Sequence, residues 1–453
     1  MAIGNDITAT AANGSGRRLN FQAADPTRAS FFWLSVFFVV YCARPGDYVP
    51  LLGYLPLAKI SGILAMWGLF NAVGRTKRTL KDLPREARLL FTMVGLLFIG
   101  GFLSPVWKGG AVTKSVEFSK ICIAWALTFL LITTFERLRR IIFIQAISVV
   151  VACSAAIAKG HNVERLNGVL GGIYSNPNDL AFAVVLALPF ALLFMETTKN
   201  VVFKVLWMVG MLIMLFTIFL TASRAGFIDL VISGVVTLYF FAVKGKRPYL
   251  LLGTLFAAVL IAATVGGKLY DRFEALSGDT TTEKSAYGSF QDRVYLMERA
   301  VEAIETYPVF GIGAHNFTTY SGIWRDVHMT YLQICSEGGI PVFILYLMFF
   351  WQAFKNLKIL RKRKDLGPDM TLFVGALTSS LVGFTVGAVF APEAYQYFPY
   401  FSVAFIATMM QTIKERDQEL SHGPGPDAPP PKRGRHFLEA YDFGRRDAVG
   451  TVR

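Results

Sequence analysis

The chain has 453 residues, of which 54% are apolar and 14% are aromatic, and its mean hydropathy is +0.47. Because an ordinary soluble domain contains about 45–50% apolar residues, this composition excludes a typical soluble protein and indicates one that crosses a membrane many times. The net charge of +14 comes from short basic clusters between apolar runs, a pattern that orients membrane proteins in the bilayer. We therefore attribute the charge to topology and expect no nucleic-acid partner.

Apolar runs of about 20 residues predict about twelve transmembrane helices, in one group over residues 29–266 and a second over residues 338–414. The fold class that follows is an all-α polytopic membrane protein with one large loop over residues 267–337. The predicted spans are 29–43, 55–73, 87–103, 116–135, 140–158, 179–196, 201–220, 224–243, 249–266, 338–354, 371–391 and 397–414.

Lysine and arginine accumulate in every second connection between these spans, as cytoplasmic loops of membrane proteins do. With an even number of spans, both termini lie in the cytoplasm and the large loop lies on the far side, which is the periplasm in a Gram-negative bacterium. We therefore predict an inner-membrane protein whose active site faces the periplasm. The basic connections are 75–85, 137–140, 244–247 and 358–364.

The two ends of the chain are predicted to be cytoplasmic tails. Residues 1–28 are polar and lack the apolar core of a secretory signal peptide. Residues 415–453 are rich in glycine, proline and basic side chains, a composition typical of a disordered extension. We assign the C-terminal tail no catalytic role.

The large loop is predicted to contain a helix. Residues 268–287 are rich in glycine, serine and threonine and are expected to be irregular. Ser289 and Asp292 match the spacing of a capping box, so the helix is predicted to begin there and to end at Tyr307-Pro308. Its apolar stripe is expected to consist of Val294, Met297, Val301 and Ile304.

Two further segments of the loop carry structural signals. The turn at 311–317 has the conformational freedom of glycine, and His315 and Asn316 within it more often stabilise such a turn than bind a ligand. From His328 to Glu337 the sequence is typical of a helix that leads into the next span. That span is predicted to begin after Gly338-Gly339.

Arg224 stands in the motif Ser223-Arg224-Ala225-Gly226, between two apolar runs with almost no loop between them. Its guanidinium is therefore expected near the outer membrane surface. A guanidinium is a planar, permanently charged fork of donors that matches phosphate oxygens. The alternative is an interfacial arginine that reaches lipid headgroups.

Arg293 and His328 are the candidate functional residues of the loop. Arg293 lies one turn into the predicted helix, where backbone donors already favour an anion; a surface ion pair with Asp292 or with a neighbouring turn is the alternative. His328 lies just ahead of a span, and a reference pKa of about 6.5 lets it accept a proton at neutral pH. A solvated or structural histidine is the alternative at this position.

Four further residues are candidates for lining the same site. Glu337, like Lys120, lies at a helix end, where carboxylates and lysines are usually solvated or paired. Asn176 and Asn178 precede a span, and their simplest role is in a turn and a helix N-cap. Asn316 belongs to the glycine turn described above.

The cysteines indicate neither a disulfide framework nor a zinc site, because they lie in or beside apolar runs without metal-type spacing. Free thiols are the expectation for Cys42, Cys122, Cys153 and Cys335. The sequence also lacks a carboxylate cluster with the spacing of a metal site, so no metal is expected.

Several motifs together resemble the bacterial O-antigen ligase and O-antigen polymerase superfamily. Their order and their side of the membrane make the resemblance specific, and it covers most of the chain. The motifs are Asn176-Pro177-Asn178, Ser223-Arg224-Ala225-Gly226, Arg293 with Tyr295, Met297 and Ala300, Pro308-Val309-Phe310-Gly311-Ile312-Gly313 with Asn316-Phe317, and His328 leading through Tyr331-Leu332-Gln333 to Glu337-Gly338-Gly339-Ile340-Pro341.

The resemblance implies a membrane glycosyltransferase of the GT-C kind that takes a glycan from an undecaprenyl-diphosphate carrier, with no metal and no nucleotide sugar. It implies that Arg224 and Arg293 bind the diphosphate and that His328 is the catalytic base on the acceptor hydroxyl. An inverting transfer needs a base on one side and fixed positive charge on the other. The expected partners are the lipid-linked glycan donor, a glycan or lipid A-core acceptor and the lipid bilayer, and no cofactor is expected.

Alternatives to an O-antigen ligase stay open. A polysaccharide repeat-unit polymerase of the same superfamily shares the fold and differs in its acceptor. A transporter or flippase would require ionisable residues paired near the bilayer midplane and related halves; Asp229 is the main candidate for such a charge, and no duplicated half is visible. A non-catalytic assembly scaffold is supported only by the basic tail.

Overall fold

The structure is a computed structural model, and it describes residues 25–159, 165–166, 174, 176–259 and 281–421. Within these ranges the chain is helical, with irregular connections and no strand, which confirms the predicted all-α class. Seven of the described helices are long and apolar enough to cross a membrane, and three shorter helices are also apolar. The protein is therefore a polytopic membrane protein.

The helices are named α1 to α13 in chain order, and each predicted span within the described ranges is occupied by one of them. Most of their buried apolar side chains pack into one continuous core. The helices are α1 Arg28–Ala43, α2 Leu57–Asn71, α3 Arg85–Leu103, α4 Lys108–Leu131, α5 Phe135–Lys159, α6 Pro177–Thr197, α7 Val201–Leu220, α8 Arg224–Leu238 with a wider π-helical continuation Tyr239–Lys244, α9 Tyr249–Val259, α10 Thr281–Thr306, α11 Thr330–Lys362, α12 Pro368–Gly387 and α13 Tyr397–Ser421.

The basic connections meet at one end of the helix bundle, here called the basic end. Ion pairs join them to other helices, among them Arg78 to Glu415 at 2.7 Å, Arg139 to Asp369 at 3.7 Å, and Arg247 to Glu196 at 2.7 Å. The first residues of α6, α8 and α11 lie at the other end, together with the candidate residues. The alternation of charge in the sequence thus corresponds to a real separation of the two ends.

The predicted span 116–135 is wrong in its limits, because α4 runs over Lys108–Leu131 and α5 already begins at Phe135. No glycine or proline marks the end of α4. Instead the buried guanidinium of Arg78 donates hydrogen bonds to the carbonyls of Phe129 (2.9 Å) and Ile132 (2.7 Å). A helix end that is satisfied by a side chain from a distant loop leaves no local stop signal.

The prediction of a disordered tail from residue 415 is wrong for its first residues, because α13 continues to Ser421. Glu415 pairs with Arg78, and Asp417 pairs with Arg363. These ion pairs attach the last turns of α13 to two other connections at the basic end. Residues 422–453 lie outside the described residues, as do residues 1–24.

The loop helix α10 begins at Thr281, so the predicted start at Ser289 and the predicted irregular structure over 281–287 are both wrong. Glutamate, lysine and alanine in 281–288 favour helix formation. Ser289 and Asp292 have the spacing of a capping box although they lie inside the helix. Residues 268–280 lie outside the described residues. The predicted end is confirmed, since α10 ends at Thr306 directly before Tyr307-Pro308.

The predicted apolar stripe of α10 is also wrong. Val294, Met297 and Val301 are exposed. The buried face is formed by Leu296, Ala300 and Ala303, which pack in a second small core against Ile312, Phe317 and Val327. Small alanines are weak signals in a hydrophobicity pattern, yet they let the helix approach the loop closely.

Helix α11 is kinked at Gly339, whose backbone is in the left-handed region with φ of 79°. Thr330 to Gly338 therefore form the predicted lead-in helix, and the prediction of a break at Gly338-Gly339 is confirmed. The turn after α10 pairs with the kink through its backbone: Ile312 N–H donates to the Ser336 carbonyl and Gly313 N–H to the Glu337 carbonyl, both at 2.9 Å. This pairing attaches the large loop to the bundle.

We expect Gly339→Ala to destabilise the fold by at least about 1–3 kcal/mol, because a non-glycine residue is strained at this φ. A methyl group there would also collide with the backbone of Val309. Thermal unfolding of the purified protein in detergent measures the effect. The matched control is Gly95→Ala in α3, where a methyl group meets nothing within 4 Å and alanine favours the helix. Equal melting temperatures for the two variants would contradict the assigned role of the kink.

Candidate active site

Arg224 is the first residue of α8, and its position is determined by the residues before it. Ser223 caps the helix, since its Oγ accepts a hydrogen bond from Gly226 N–H at 3.1 Å. The same Oγ donates to Oδ1 of Asn178 at 2.8 Å. Arg224 is half-buried at the end of the bundle opposite the basic end.

The beginnings of α6 and α8 are packed closely enough to require glycine. A methyl group on Gly226 would lie 2.6 Å from Cβ of Ala181 in α6. Asn176 caps α6, because its side chain accepts from Asn178 N–H at 2.9 Å. The predicted turn and N-cap chemistry of Asn176 is therefore present, and Asn178 joins the two helix starts.

Arg165 is a residue of this region that the sequence did not single out. Its Nε donates to the Thr221 carbonyl and its guanidinium donates to Oδ1 of Asn178, both at 3.1 Å. These bonds tie the connection before α6 to the turn that carries Arg224. In the sequence, Arg165 is a single arginine in a polar connection. Such a residue matches no specific motif, so the sequence did not indicate its role.

Arg293, on α10, lies close enough to Arg224 for the two charges to repel each other. Burial lowers the pKa of Arg293, and the charge of Arg224 lowers it further. Neither arginine forms an ion pair within the described residues. Asp292, the partner considered for Arg293, is paired with Arg325 instead. Two adjacent guanidiniums without a carboxylate form a site that favours an anion.

His328 completes this group from the connection ahead of α11. Burial lowers the pKa of His328 to about 4, with further contributions from the charges of Arg293 and Arg325. The imidazole is therefore neutral at neutral pH and has a free lone pair. A neutral imidazole beside fixed positive charge can accept a proton from a hydroxyl group that is held nearby.

Glu337 and Asn316 form hydrogen bonds with residues other than the two arginines, and these bonds connect the glycine turn to neighbouring helices. The buried carboxylate of Glu337 accepts from Phe317 N–H at 3.2 Å and from the Tyr395 hydroxyl at 2.6 Å. Nδ2 of Asn316 donates to Oγ of Ser104 at 2.8 Å and to the Ile312 carbonyl at 2.9 Å. The structure thus gives these two residues a role in holding the glycine turn.

A carboxyl pair that the sequence did not predict lies near the start of α11. Asp179, in the first turn of α6, is hydrogen-bonded to Glu393 of the connection between α12 and α13. Glu393 N–H donates to Oγ1 of Thr330 at 2.9 Å. Glutamate in a short connection is common, so no local pattern indicated this contact.

Hydrogen bonds and electrostatic interactions connect these residues in a ring around the candidate site. Arg224 is within electrostatic range of Arg293, and Arg293 is within electrostatic range of His328. Thr330, two residues beyond His328, contacts Glu393 and through it the start of α6. Asn178 then returns to Ser223, next to Arg224. One arc of the ring is basic and the other is acidic.

The four cysteines are free, as predicted, and Cys42, Cys153 and Cys335 are buried. Among the described residues, no group of three histidine, cysteine or carboxylate side chains is arranged to hold a metal ion.

The fold and this group of residues define a helical membrane protein with two arginines that have no ion-pair partner among the described residues, beside a neutral histidine. The family described as O-Antigen ligase matches residues 209–347, the part of the chain that contains all three residues. The teichuronic acid biosynthesis protein TuaE of Bacillus subtilis (strain 168) is 22% identical over 445 residues, covering 88% of each chain. These matches confirm the resemblance to the O-antigen ligase and polymerase superfamily. They support a membrane glycosyltransferase of the ligase or polymerase kind.

We expect NMR of labelled histidine to give His328 a pKa well below 6.5, and Arg293→Ala to raise it, because loss of a positive charge favours protonation. The unfolded chain binds more protons than the folded one between pH of about 4 and 6.5, so the contribution of His328 to the free energy of unfolding falls as the pH falls through that window. His328→Gln identifies the signal. A titration near 6.5 in wild type would contradict the burial of this imidazole.

Proposed function

We propose that the protein transfers a glycan from an undecaprenyl-diphosphate carrier to an acceptor, as an O-antigen ligase, at the periplasmic face of the inner membrane. The observation that carries the proposal is the pair of arginines without ion-pair partners in the described structure, next to a neutral histidine. The donor's diphosphate supplies the negative charge that this pair lacks.

In the proposed reaction, the acceptor oxygen attacks the anomeric carbon while the bond to the diphosphate oxygen breaks. His328 takes the proton of the attacking hydroxyl, and Arg224 and Arg293 stabilise the charge that develops on the leaving diphosphate. Attack from the face opposite the leaving group inverts the anomeric configuration. The three residues thus fill the two roles that such a transfer requires.

The low proton affinity of His328 fits this sequence of events. A neutral imidazole is ready to accept a proton, and the bound diphosphate offsets the positive charge that lowers its pKa. Donor binding therefore makes the histidine a stronger base at the moment when the acceptor hydroxyl has to lose its proton.

The orientation in the membrane follows from the charge distribution. The basic end of the bundle carries the lysine and arginine clusters that mark cytoplasmic loops. The candidate site lies at the opposite end, which we therefore assign to the periplasmic face. A polyprenyl carrier in that leaflet reaches the arginines from the bilayer.

A repeat-unit polymerase is the second candidate function. It is supported by the similarity to a teichuronic acid biosynthesis protein, whereas the matching family is described as a ligase. A transporter has weaker support: Asp229 is buried at 1% exposure in α8, and no ionisable side chain of the described residues is hydrogen-bonded to it.

A transfer assay with purified protein tests the proposal. The donor is a synthetic undecaprenyl-diphosphate glycan, and the two acceptors are lipid A-core and a second lipid-linked glycan. His328→Ala should reduce the turnover rate by about 10²–10⁴-fold, the usual contribution of a general base. Arg224→Ala and Arg293→Ala should each reduce it by about 10²–10³-fold, as loss of a fixed donor to a developing charge does. Gel separation of labelled products measures the rates.

The matched control is Arg88→Ala, which removes an exposed arginine of α3 and should leave transfer unchanged. Unchanged transfer by His328→Ala and Arg293→Ala would overturn the mechanism. A single addition to lipid A-core supports the ligase, and a ladder of products supports the polymerase.

Transfer should also persist after treatment with EDTA and dialysis, because the two guanidiniums supply the positive charge that other enzymes obtain from a metal ion. The measurement is the same product assay, with and without added Mg²⁺. Loss of transfer that Mg²⁺ restores would contradict a metal-independent reaction.

A further inference from the structure

The carboxyl pair of Asp179 and Glu393 has a chemistry that the reaction described above does not use. Asp179 and Glu393 lie within hydrogen-bonding range of each other. An ionised carboxylate only accepts hydrogen bonds, so a hydrogen bond between the two side chains requires that at least one of them holds a proton. A carboxyl pair that holds a proton can both accept and donate hydrogen bonds. Asp179 is half-buried and forms the open side of the pair.

Glu393 has a free acceptor although it is buried. Its exposure is 3%, and Oε1 has no hydrogen-bond partner within the described residues. The hydroxyl of Tyr346 lies within electrostatic range of Glu393. It is also buried and has no hydrogen-bond partner among the described residues. Buried polar atoms are nearly always hydrogen-bonded, because leaving one unpaired is costly. The unpaired Oε1 of Glu393 therefore leaves an acceptor available to a polar ligand.

The pair lies next to the proposed base. Glu393 contacts Thr330, two residues beyond His328, and Asp179 is within electrostatic range of Asp326, two residues before it. On the other side, Asn178 links the start of α6 to Ser223 and so to Arg224. The carboxyl pair is therefore linked to the residues around His328 on one side and to the residue before Arg224 on the other.

The arginines and the carboxyl pair suit different chemical groups of the donor and the acceptor. A diphosphate is attracted by the arginines and repelled by the carboxyl pair. A sugar without negative charge presents hydroxyl groups, and carboxyl oxygens are strong acceptors for them.

We propose that Asp179 and Glu393 form the acceptor subsite, which binds hydroxyl groups of the acceptor glycan and holds the attacking hydroxyl toward His328. This inference rests on the proposed function. In it, Asp179 and Glu393 bind the acceptor, and His328 remains the catalytic base.

The test uses full-length Asp179→Asn and Glu393→Gln, which preserve side-chain shape and remove the carboxyl group. Transfer from the synthetic undecaprenyl-diphosphate glycan is measured while donor and acceptor concentrations are varied separately. We expect the KM for the acceptor to rise by about tenfold or more, the effect of losing one or two hydrogen bonds to a charged group, and the KM for the donor to stay within about twofold.

Asp229→Asn is the matched control, because it removes a buried carboxyl of the same bundle outside the ring. It should leave both KM values unchanged. A rise in the donor KM, or a loss of turnover with an unchanged acceptor KM, in the two pair variants would overturn the subsite. Melting temperatures of all variants identify any loss that comes from misfolding.

Acceptor binding without donor separates this inference from the proposed function. Saturation-transfer NMR with a soluble core oligosaccharide should give contacts with wild type and weaker contacts with Asp179→Asn or Glu393→Gln. If wild type transfers nothing, the proposed function fails and this experiment still decides the subsite. Equal binding by wild type and both variants, or no binding by any of them, would overturn it.

Discussion

The backbone pairing between the 311–313 turn and the kink of α11 is the constraint on which the candidate site depends. It holds only because Gly311 and Gly339 adopt positive φ angles and have no side chain between the two backbones. Through this contact the second small core and helix α10 are attached to the bundle. The two glycines thus help to hold α10, which carries Arg293, beside the start of α11, which follows His328.

The arginine pair is held against its own electrostatic repulsion by structure that lies outside it. Ser223 and Asn178 anchor the start of α8, and the alanines of α10 anchor the other helix. Because these contacts do not involve the guanidiniums, the charges stay available. The fold supplies the free energy that keeps two like charges adjacent, and an anion between them recovers it.

Local patterns predicted the features of this protein that depend on local chemistry. Hydropathy located the helices, Asn176 was readable as a helix cap, and the glycines before Ile340 were readable as a break. The buried face of α10, the end of α4 at Arg78 and the contact of Asp179 with Glu393 could not be predicted in the same way. Each depends on a partner far away in the sequence, whether a small-residue core, a long-range cap or a carboxyl from another connection. The proposed roles of Arg224, Arg293 and His328 rest on the order of motifs rather than on any one motif.

The position of the two guanidiniums has a consequence for the end of the catalytic cycle. If they bind the diphosphate, they contact a group that is present in the loaded carrier and in the spent carrier alike. Removal of the glycan then leaves the strongest electrostatic contacts intact. In the proposed reaction, departure of the spent carrier would then be the slow step, and that carrier would compete with donor for the next turnover. The supply of donor and the clearance of carrier from the membrane would together set the rate of glycan transfer.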